Sequence, residues 1–280
     1  MNPRILGVYR EVEFSPGKVE ADAAIIDAVL AELGNYGAET ATIDAAQLSS
    51  EPPPNAHMVL AMCQGERALS LLAAIEKAGA VTINSALAIR NCYRDLLGVG
   101  LTRAGVPAPD GVAVSTATPF DLKPLRALDV SAPIYVKRGD LHALHPDDVQ
   151  RVDGLEQLET TLLRFARREI RVAYVQQEAT GEVVKFYGVS GGEYFTAISD
   201  GEDLSENLKL GLSHAASVAA GALGLEVWGG DAMVNGDHFS IIDFNDWPSF
   251  GPVRAQAAHA IARRCMMLLR RHPVARNLNA

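Results

Sequence analysis

Residues Val227 to Phe250 read VWGGDAMVNGDHFSIIDFNDWPSF, two apolar strand-like runs on either side of an Asn-Gly turn signal. This is the strongest short-range cue for a β-hairpin. A hairpin ties its strands to one register, and the period of two then decides which side chains share a face. Asp231 and Asp243 stand twelve positions apart, and an even separation puts both on one face only if the loop has an odd number of residues or a strand carries one bulge. The expected solution is a three-residue loop, Asn235-Gly236-Asp237, with Val234 paired to His238. Asp231 then lies opposite Ile241, with Asp243 and Asn245 on the same face and Asp243 at a diagonal distance of roughly 7 Å. A strict two-residue Asn-Gly turn would separate the acids. Two carboxylates and an amide oxygen on one face form a hard-oxygen site suited to one or two Mg²⁺ ions, which keep water and phosphate oxygens as further ligands. From this stretch alone, an edge hairpin with polar residues facing solvent remains the alternative.

The N-terminal part alternates strand "ILGVY", a helix from about Lys18 to Gly34, a strand near Thr40 to Ile43, strand "MVLAM", a helix from Gly65 to Ala78 and strand "VTI". With Gly34, Gly37 and Gly79 closing helices, that order predicts a βαβ lobe with a mainly parallel sheet. A second segment is expected to open with one helix over Ser85 to Ala104, stop at "AGVPAPDG", and continue through strand "PIYVK" to a helix around Leu155 to Arg168. The third is strand-rich: "VAYVQQE", "VVKFYGVSG" and "EYFTAI", then an Ala-rich helix from Ser205 to Ala222, the hairpin and a closing helix. Val184, Phe186 and Gly188 alternate with Lys185 and Tyr187, as in a half-buried antiparallel strand. The fold class is therefore α/β followed by α+β, in lobes over 1–90, 91–175 and 176–280. Ser49 to Ala56, "SSEPPPNA", is a Pro-rich loop too short to be a linker.

A net charge of −9 argues against a nucleic-acid partner, whose footprint is a basic stripe. The Arg clusters at Arg164 to Arg171 and Arg263 to Arg271 fit solvated helix faces. Cys63, Cys92 and Cys265 are isolated and odd in number, which suggests neither a disulfide framework nor a zinc site and points to a reducing, cytoplasmic setting. No apolar run reaches the length of a membrane span, and the N-terminus lacks a signal peptide's features. Lys137 at the end of an apolar strand and Lys185 inside another call for anionic partners, which phosphates would supply, unless both snorkel to solvent.

Five segments, "INSALAIRNCYRDLL" from Ile83, "VKR" at Val136 to Arg138, "VQQEATG" at Val175 to Gly181, "VKFYGVSGGEYFTA" from Val184 and "GGDAMVNGDHFSIIDFND" from Gly229, occur in an order that resembles the ATP-grasp family over essentially the whole chain. Within that family the likeness is to bacterial glutamate ligases that modify peptide ends and to inositol-phosphate kinases of the same fold. The resemblance implies an N-terminal βαβ (pre-ATP-grasp) lobe, a small central lobe and a C-terminal antiparallel-sheet lobe, with ATP held in the cleft. By position, Lys137 matches the phosphate-binding lysine of the central lobe. Arg94 falls where a lysine is usual, a change that keeps the charge but not the geometry. Gln177 and Glu178 lead into the hinge that reads adenine through backbone groups, with Ala179 and Thr180 at its centre. Lys185 matches a basic residue facing the phosphates, and Asp231, Asp243 and Asn245 match the magnesium ligands.

The chain departs from the family after Lys137. Where many relatives carry a glycine-rich loop, it has "RGDLHALHPDDVQRV", with one glycine and two histidines, His142 and His145. His142 is the stronger candidate for substrate contact, and "DWPSF" adds Ser249 and Arg254. "GVGLTRAG" at Gly98 to Gly105 misses the dinucleotide fingerprint and reads as helix packing. The implied activity is an ATP- and Mg²⁺-dependent ligase that activates a carboxylate as an acyl phosphate for attack by an amine, on a small-molecule or peptide substrate. A small-molecule kinase of inositol- or polyol-phosphate type is the second reading, and a nucleotide-binding regulator with degenerate catalysis the third. No membrane partner is expected, and assembly as a homo-oligomer is compatible with all three readings.

Overall fold

A computed structural model describes residues 2–49, 56–201 and 203–272; most of the Pro-rich stretch from Ser49 to Ala56 lies outside the described residues. The N-terminal alternation builds a parallel sheet from β1 (Arg4–Tyr9), β2 (Glu39–Asp44), β3 (Met58–Ala61) and β4 (Val81–Ile83), in the order β2-β1-β3-β4. β3 is buried along its whole length, as a parallel strand covered on both faces must be. Helix α1 (Val19–Asn35) turns Ile25, Ile26, Val29, Leu30 and Leu33 into the core, and α2 (Glu66–Lys77) turns in Leu69, Leu72 and Ile75. The strand order reverses between β1 and β3. In open α/β sheets the crevice beyond the strand carboxyl ends at such a point is the usual ligand site, and Arg10 and Gln64 emerge there.

The single helix expected over Ser85 to Ala104 is instead two, α3 (Ala86–Asn91) and α4 (Arg94–Ala104). Tyr93 breaks it. Its backbone is extended (φ −66°, ψ 135°), its ring is buried under the Arg90 guanidinium, 4.5 Å from the ring centroid, and its hydroxyl donates to the Gln64 carbonyl. The break makes Arg94 the first residue of α4.

The central sheet is antiparallel, in the order β5-β8-β6-β7, from β5 (Gly111–Ser115), β6 (Ile134–Arg138), β7 (Val149–Val152) and β8 (Val172–Gln177), with α5 (Gly154–Arg167) packed on one face. Two of these strands were not expected, and β8, read above with the third segment, belongs to this sheet. The last sheet, β10-β9-β11-β12, comprises β9 (Glu182–Val189), β10 (Tyr194–Ser199), β11 (Val227–Asn235) and β12 (His238–Asp246). Helix α6 (Glu206–Leu223) covers one face through Leu212, Ala216, Ala219 and Leu223. Helix α7 (Arg254–Arg271) joins the N-terminal core, where Ile261 and Cys265 share a cluster with Ile26, Val29 and Trp247. Among the described residues, no helix is long and apolar enough to cross a membrane.

The hairpin solves its parity problem differently from the expected three-residue loop. Asn235 pairs with His238, so the loop has two residues, Gly236 (φ +60°) and Asp237. Alone, that loop would put the acids on opposite faces. The register shifts, however, between Ala232↔Ile241 and Asp231↔Asp243, leaving Ile242 as a bulge. One extra residue restores the shared face, and Asp231 ends directly opposite Asp243 rather than diagonal to it. Gly230 makes the approach possible, because a Cβ there would overlap the Asp243 carbonyl oxygen and the Phe186 ring.

Candidate functional site

Like charges directly across a strand pair repel, so the two acids need cations. Each has one. Lys185, on β9 and in register with Asp231, donates to Asp231 Oδ1 at 3.1 Å, and Arg94 donates from Nη2 to Asp243 Oδ2 at 3.1 Å. Burial pushes the Asp243 carboxyl up, but Arg94 and Lys137 outweigh it and hold the group below its ordinary value. Lys185 is raised, chiefly by the Asp231 charge. Lys137 is buried and its Nζ donates to the carbonyl of the bulged Ile242 at 3.0 Å. Burial pulls its pKa down to about 8, and Asp243 offsets that only in part.

Asp231, Asp243 and Asn245 line one cavity of about 350 Å³, together with Arg94, Lys185, His142 and Ser249. The structure thus brings seven of the expected residues together. Among the described residues no group of three or more His, Cys, Asp or Glu side chains converges to hold a metal. A cation here would rest on two carboxylates and the Asn245 amide oxygen. Those are hard-oxygen donors on one face, and the set fits Mg²⁺, which takes few protein ligands and completes its shell with phosphate oxygens and water.

The other expected residues lie elsewhere along the hairpin. Lys137 lines a narrow constriction with Ile242, Tyr174 and Gln176. Gln177, Glu178, Ala179 and Thr180 line a separate groove of about 430 Å³ with Met233 and Phe239. The Gln177 side chain is engaged with the Asp129 backbone and Glu178 with Arg151 (2.8 Å), so both turn toward the central lobe. Arg254 opens α7 and does not line the 350 Å³ cavity. His145 is an exposed cap, its Nδ1 accepting from the Asp147 backbone N–H at 3.1 Å.

The cavity wall also holds polar residues that the sequence reading missed, among them Arg10, Asp22, Gln64 and Asp246. Arg10 is fully engaged, donating to Asp22 (3.0 Å), to the Trp247 carbonyl (2.8 Å) and to the Met62 carbonyl (3.2 Å). Asp246 is completely buried; its Oδ1 accepts from Gln64 Nε2 at 3.1 Å and lies 3.4 Å from His142 Nε2. The available signal was the run "DFND", a third acid directly after Asn245 in an otherwise apolar strand.

A parallel lobe joined to two antiparallel sheets, with the cleft between them, is the ATP-grasp fold. Similar solved structures include the D-alanine–D-alanine ligase of Bacillus anthracis complexed with ATP, with TM-score 0.73 and 14% identity, over 96% of this chain and 99% of that one. The VanG D-Ala:D-Ser ligase of Enterococcus faecalis gives 0.73 at 12% identity, over 96% of this chain and 100% of that one. An ATP-grasp RimK domain protein of Sphaerobacter thermophilus gives 0.66 at 16% identity, over 93% and 98%. At such identities the likeness is one of fold. No protein-family model matches the chain, and no curated protein matches its sequence.

Proposed function

We propose that this chain is an ATP- and Mg²⁺-dependent ligase that activates a carboxylate as an acyl phosphate and passes the acyl group to an amine. The observation that carries the reading is the order of sites along β12. The turn end, at Phe239 and Ser240, borders the hinge groove; Ile242 borders the constriction with Lys137; Asp243 and Asn245 border the charged cavity. At about 3.4 Å per residue, the stretch from Ser240 to Asp246 covers roughly 20 Å. That length suits a nucleotide laid along the strand, with adenine at Gln177 to Thr180, phosphates over Asp243 and the acceptor beyond Asn245.

In this reading the lobes 1–90, 91–175 and 176–280 close on the nucleotide, and the protein positions groups and neutralises charge. Arg94 and Lys185 exchange their carboxylates for phosphate oxygens, and Lys137 turns from the Ile242 carbonyl to the phosphate chain. Freed of those cations, Asp231 and Asp243 with Asn245 would hold Mg²⁺, which supplies charge stabilisation as the γ-phosphoryl group moves. His142 and Ser249 face the acceptor, with Arg254 flanking. A cavity of 350 Å³ admits an amino-acid-sized group or the end of a peptide.

Screening pairs of carboxylates and amines for ATP consumption tests this. The expected result is ADP and inorganic phosphate in equal amounts, dependent on both substrates. Phosphate retained on a hydroxyl product would establish the kinase reading, and ATP binding without turnover the regulator reading.

A further inference from the structure

The segment RGDLHALHPDD, from Arg138 to Asp148, contains one glycine, and that glycine serves close approach rather than freedom. The Gly139 N–H donates to the Val172 carbonyl at 2.8 Å, and a Cβ on Gly139 would come within 2.8 Å of the same oxygen. The far end of the segment is held by Asp148, whose carboxylate is completely buried. Its Oδ2 accepts from the backbone N–H groups of Leu144 at 2.8 Å and His145 at 3.0 Å, and its Oδ1 accepts from Arg168 Nη2 at the end of α5. Arg138 lies between the two ends: its Nε donates to Asp140 Oδ1 at 2.6 Å, and its Nη1 lies 4.0 Å from Asp148 Oδ2. Burial pushes the Asp148 carboxyl up, but the Leu144 N–H and Arg168 outweigh it and hold the group below its ordinary value. A buried carboxylate with such charge-assisted partners is costly to release.

The middle of the segment crosses to the N-terminal lobe. Leu141 packs on the apolar cluster that holds Ile89 and Tyr93, its carbonyl lies 3.4 Å from Arg94 Nη1, and the Gly139 carbonyl accepts from the Asp95 N–H at 3.0 Å. Between those anchors and the Asp148 carboxylate, His142 and Ala143 enter the wall of the 350 Å³ cavity. All the anchors are protein groups, so the loop needs no phosphate to hold its place. We propose that Asp148 is a positioning residue that latches the loop from Gly139 to His145 as a fixed wall, keeping water out of the cavity during turnover. The guarded reaction rests on the ligase reading; the latch does not. Water reaching an acyl phosphate would add to the carbonyl carbon, phosphate would leave with the electrons of the C–O bond, and the free carboxylic acid would lose its proton to solvent. ATP would then be consumed without an amide being formed.

Hydrogen exchange in the full chain tests the latch without any substrate. In the wild type the Leu144 and His145 amides should exchange at least about a hundredfold more slowly than in an unstructured chain. Exchange at the unstructured rate would overturn the proposal whatever the variants do. Asp148→Asn removes the charge and one acceptor oxygen, and should speed both amides by about tenfold or more. Leu141→Ser, which frees the loop from the N-terminal lobe at a half-buried position, carries the turnover test if Asp148→Asn fails to fold. With saturating carboxylate and amine, the wild type should release phosphate and amide in equal amounts. Either variant should release several phosphates per amide, with the KM for ATP within about threefold of the wild type. A ratio that stays equal in a folded variant would overturn the water-excluding role, since the loop would then be a structural element only. Failure of the ligase reading is recognised separately, as wild-type ATP consumption that ignores the amine; it removes the guarded reaction and leaves the exchange result standing.

Discussion

Lys137 and Lys185 both sit in apolar strands of facing sheets, yet the floor and the rim of the cleft hold them in opposite ways. On the floor, Lys137 is buried against a neutral partner, the Ile242 carbonyl, and burial pulls its pKa down to about 8. On the rim, the Lys185 side chain is 56% exposed and already has a carboxylate, Asp231, which raises its pKa. A buried charge without a counter-charge costs stability, whereas an exposed ion pair contributes little. The floor lysine is therefore the one whose environment calls for an anion, and the rim lysine is an adjustable electrostatic neighbour.

The largest expected effect removes the acid to which the floor is coupled. Asp243→Asn should cut Mg²⁺-dependent turnover by about a thousandfold or more, since it takes one charge from the cation site and loosens Arg94. It should also lower stability by roughly 3 kcal/mol, because a buried guanidinium loses its carboxylate. Urea unfolding in metal-free buffer and steady-state kinetics read the two effects separately. Retained turnover would break the comparison, since the floor would then not be where charge is handled.

Lys137→Met comes next. Nucleotide affinity should fall about ten- to a hundredfold by calorimetry, while stability stays level or rises by about 1 kcal/mol, because the desolvation of a buried ammonium is avoided. An equal loss of affinity in the Lys185→Met variant would erase the contrast between floor and rim.

The same contrast sets a pH dependence. With a folded-state pKa near 8 and an ordinary value of 10.5, Lys137 holds fewer protons in the folded chain than in the unfolded one between about pH 8 and 10.5. Its contribution to stability therefore rises with pH across that window, while the charge available to a phosphate disappears. The Kd for ATP should increase several-fold from pH 7 to 9, and the rise should flatten in Lys137→Arg, which keeps its charge throughout. Lys185, shifted upward, should add nothing in that range.

The rim was easier to foresee than the floor. Alternation of Val184 and Phe186 with Lys185 placed β9 and its outward lysine correctly, because a half-buried strand writes its face into every second residue. Parity required an odd loop or a bulge, and no local signal chose between them. The carbonyl of the bulged residue is the partner of Lys137, 105 positions away. The break at Tyr93 was likewise illegible, since its hydroxyl is bound by a carbonyl in another segment, and so was Asp246, whose partner Gln64 lies 182 positions back. Strands β5 and β7 are short and lack alternation, so only their sheet neighbours identify them. Site residues with a motif around them could be proposed from sequence; those defined by contacts between lobes could not.

The smallest expected effect belongs to the rim itself. Lys185→Met removes one half of a pair whose lysine is solvent-screened, so stability should change by less than about 1 kcal/mol. Asp231 then faces Asp243 across the strands without its cation, and this repulsion is relieved as soon as a divalent ion binds. The variant should therefore bind Mn²⁺, used as a magnetic probe, at least as tightly as the wild type in the absence of nucleotide, while ATP affinity falls no more than about fivefold. Weaker Mn²⁺ binding would mean that Lys185 orders Asp231 rather than competing for it. The rim pair would then be part of the cation site's framework, and the division between floor and rim would have to be redrawn around Asp231.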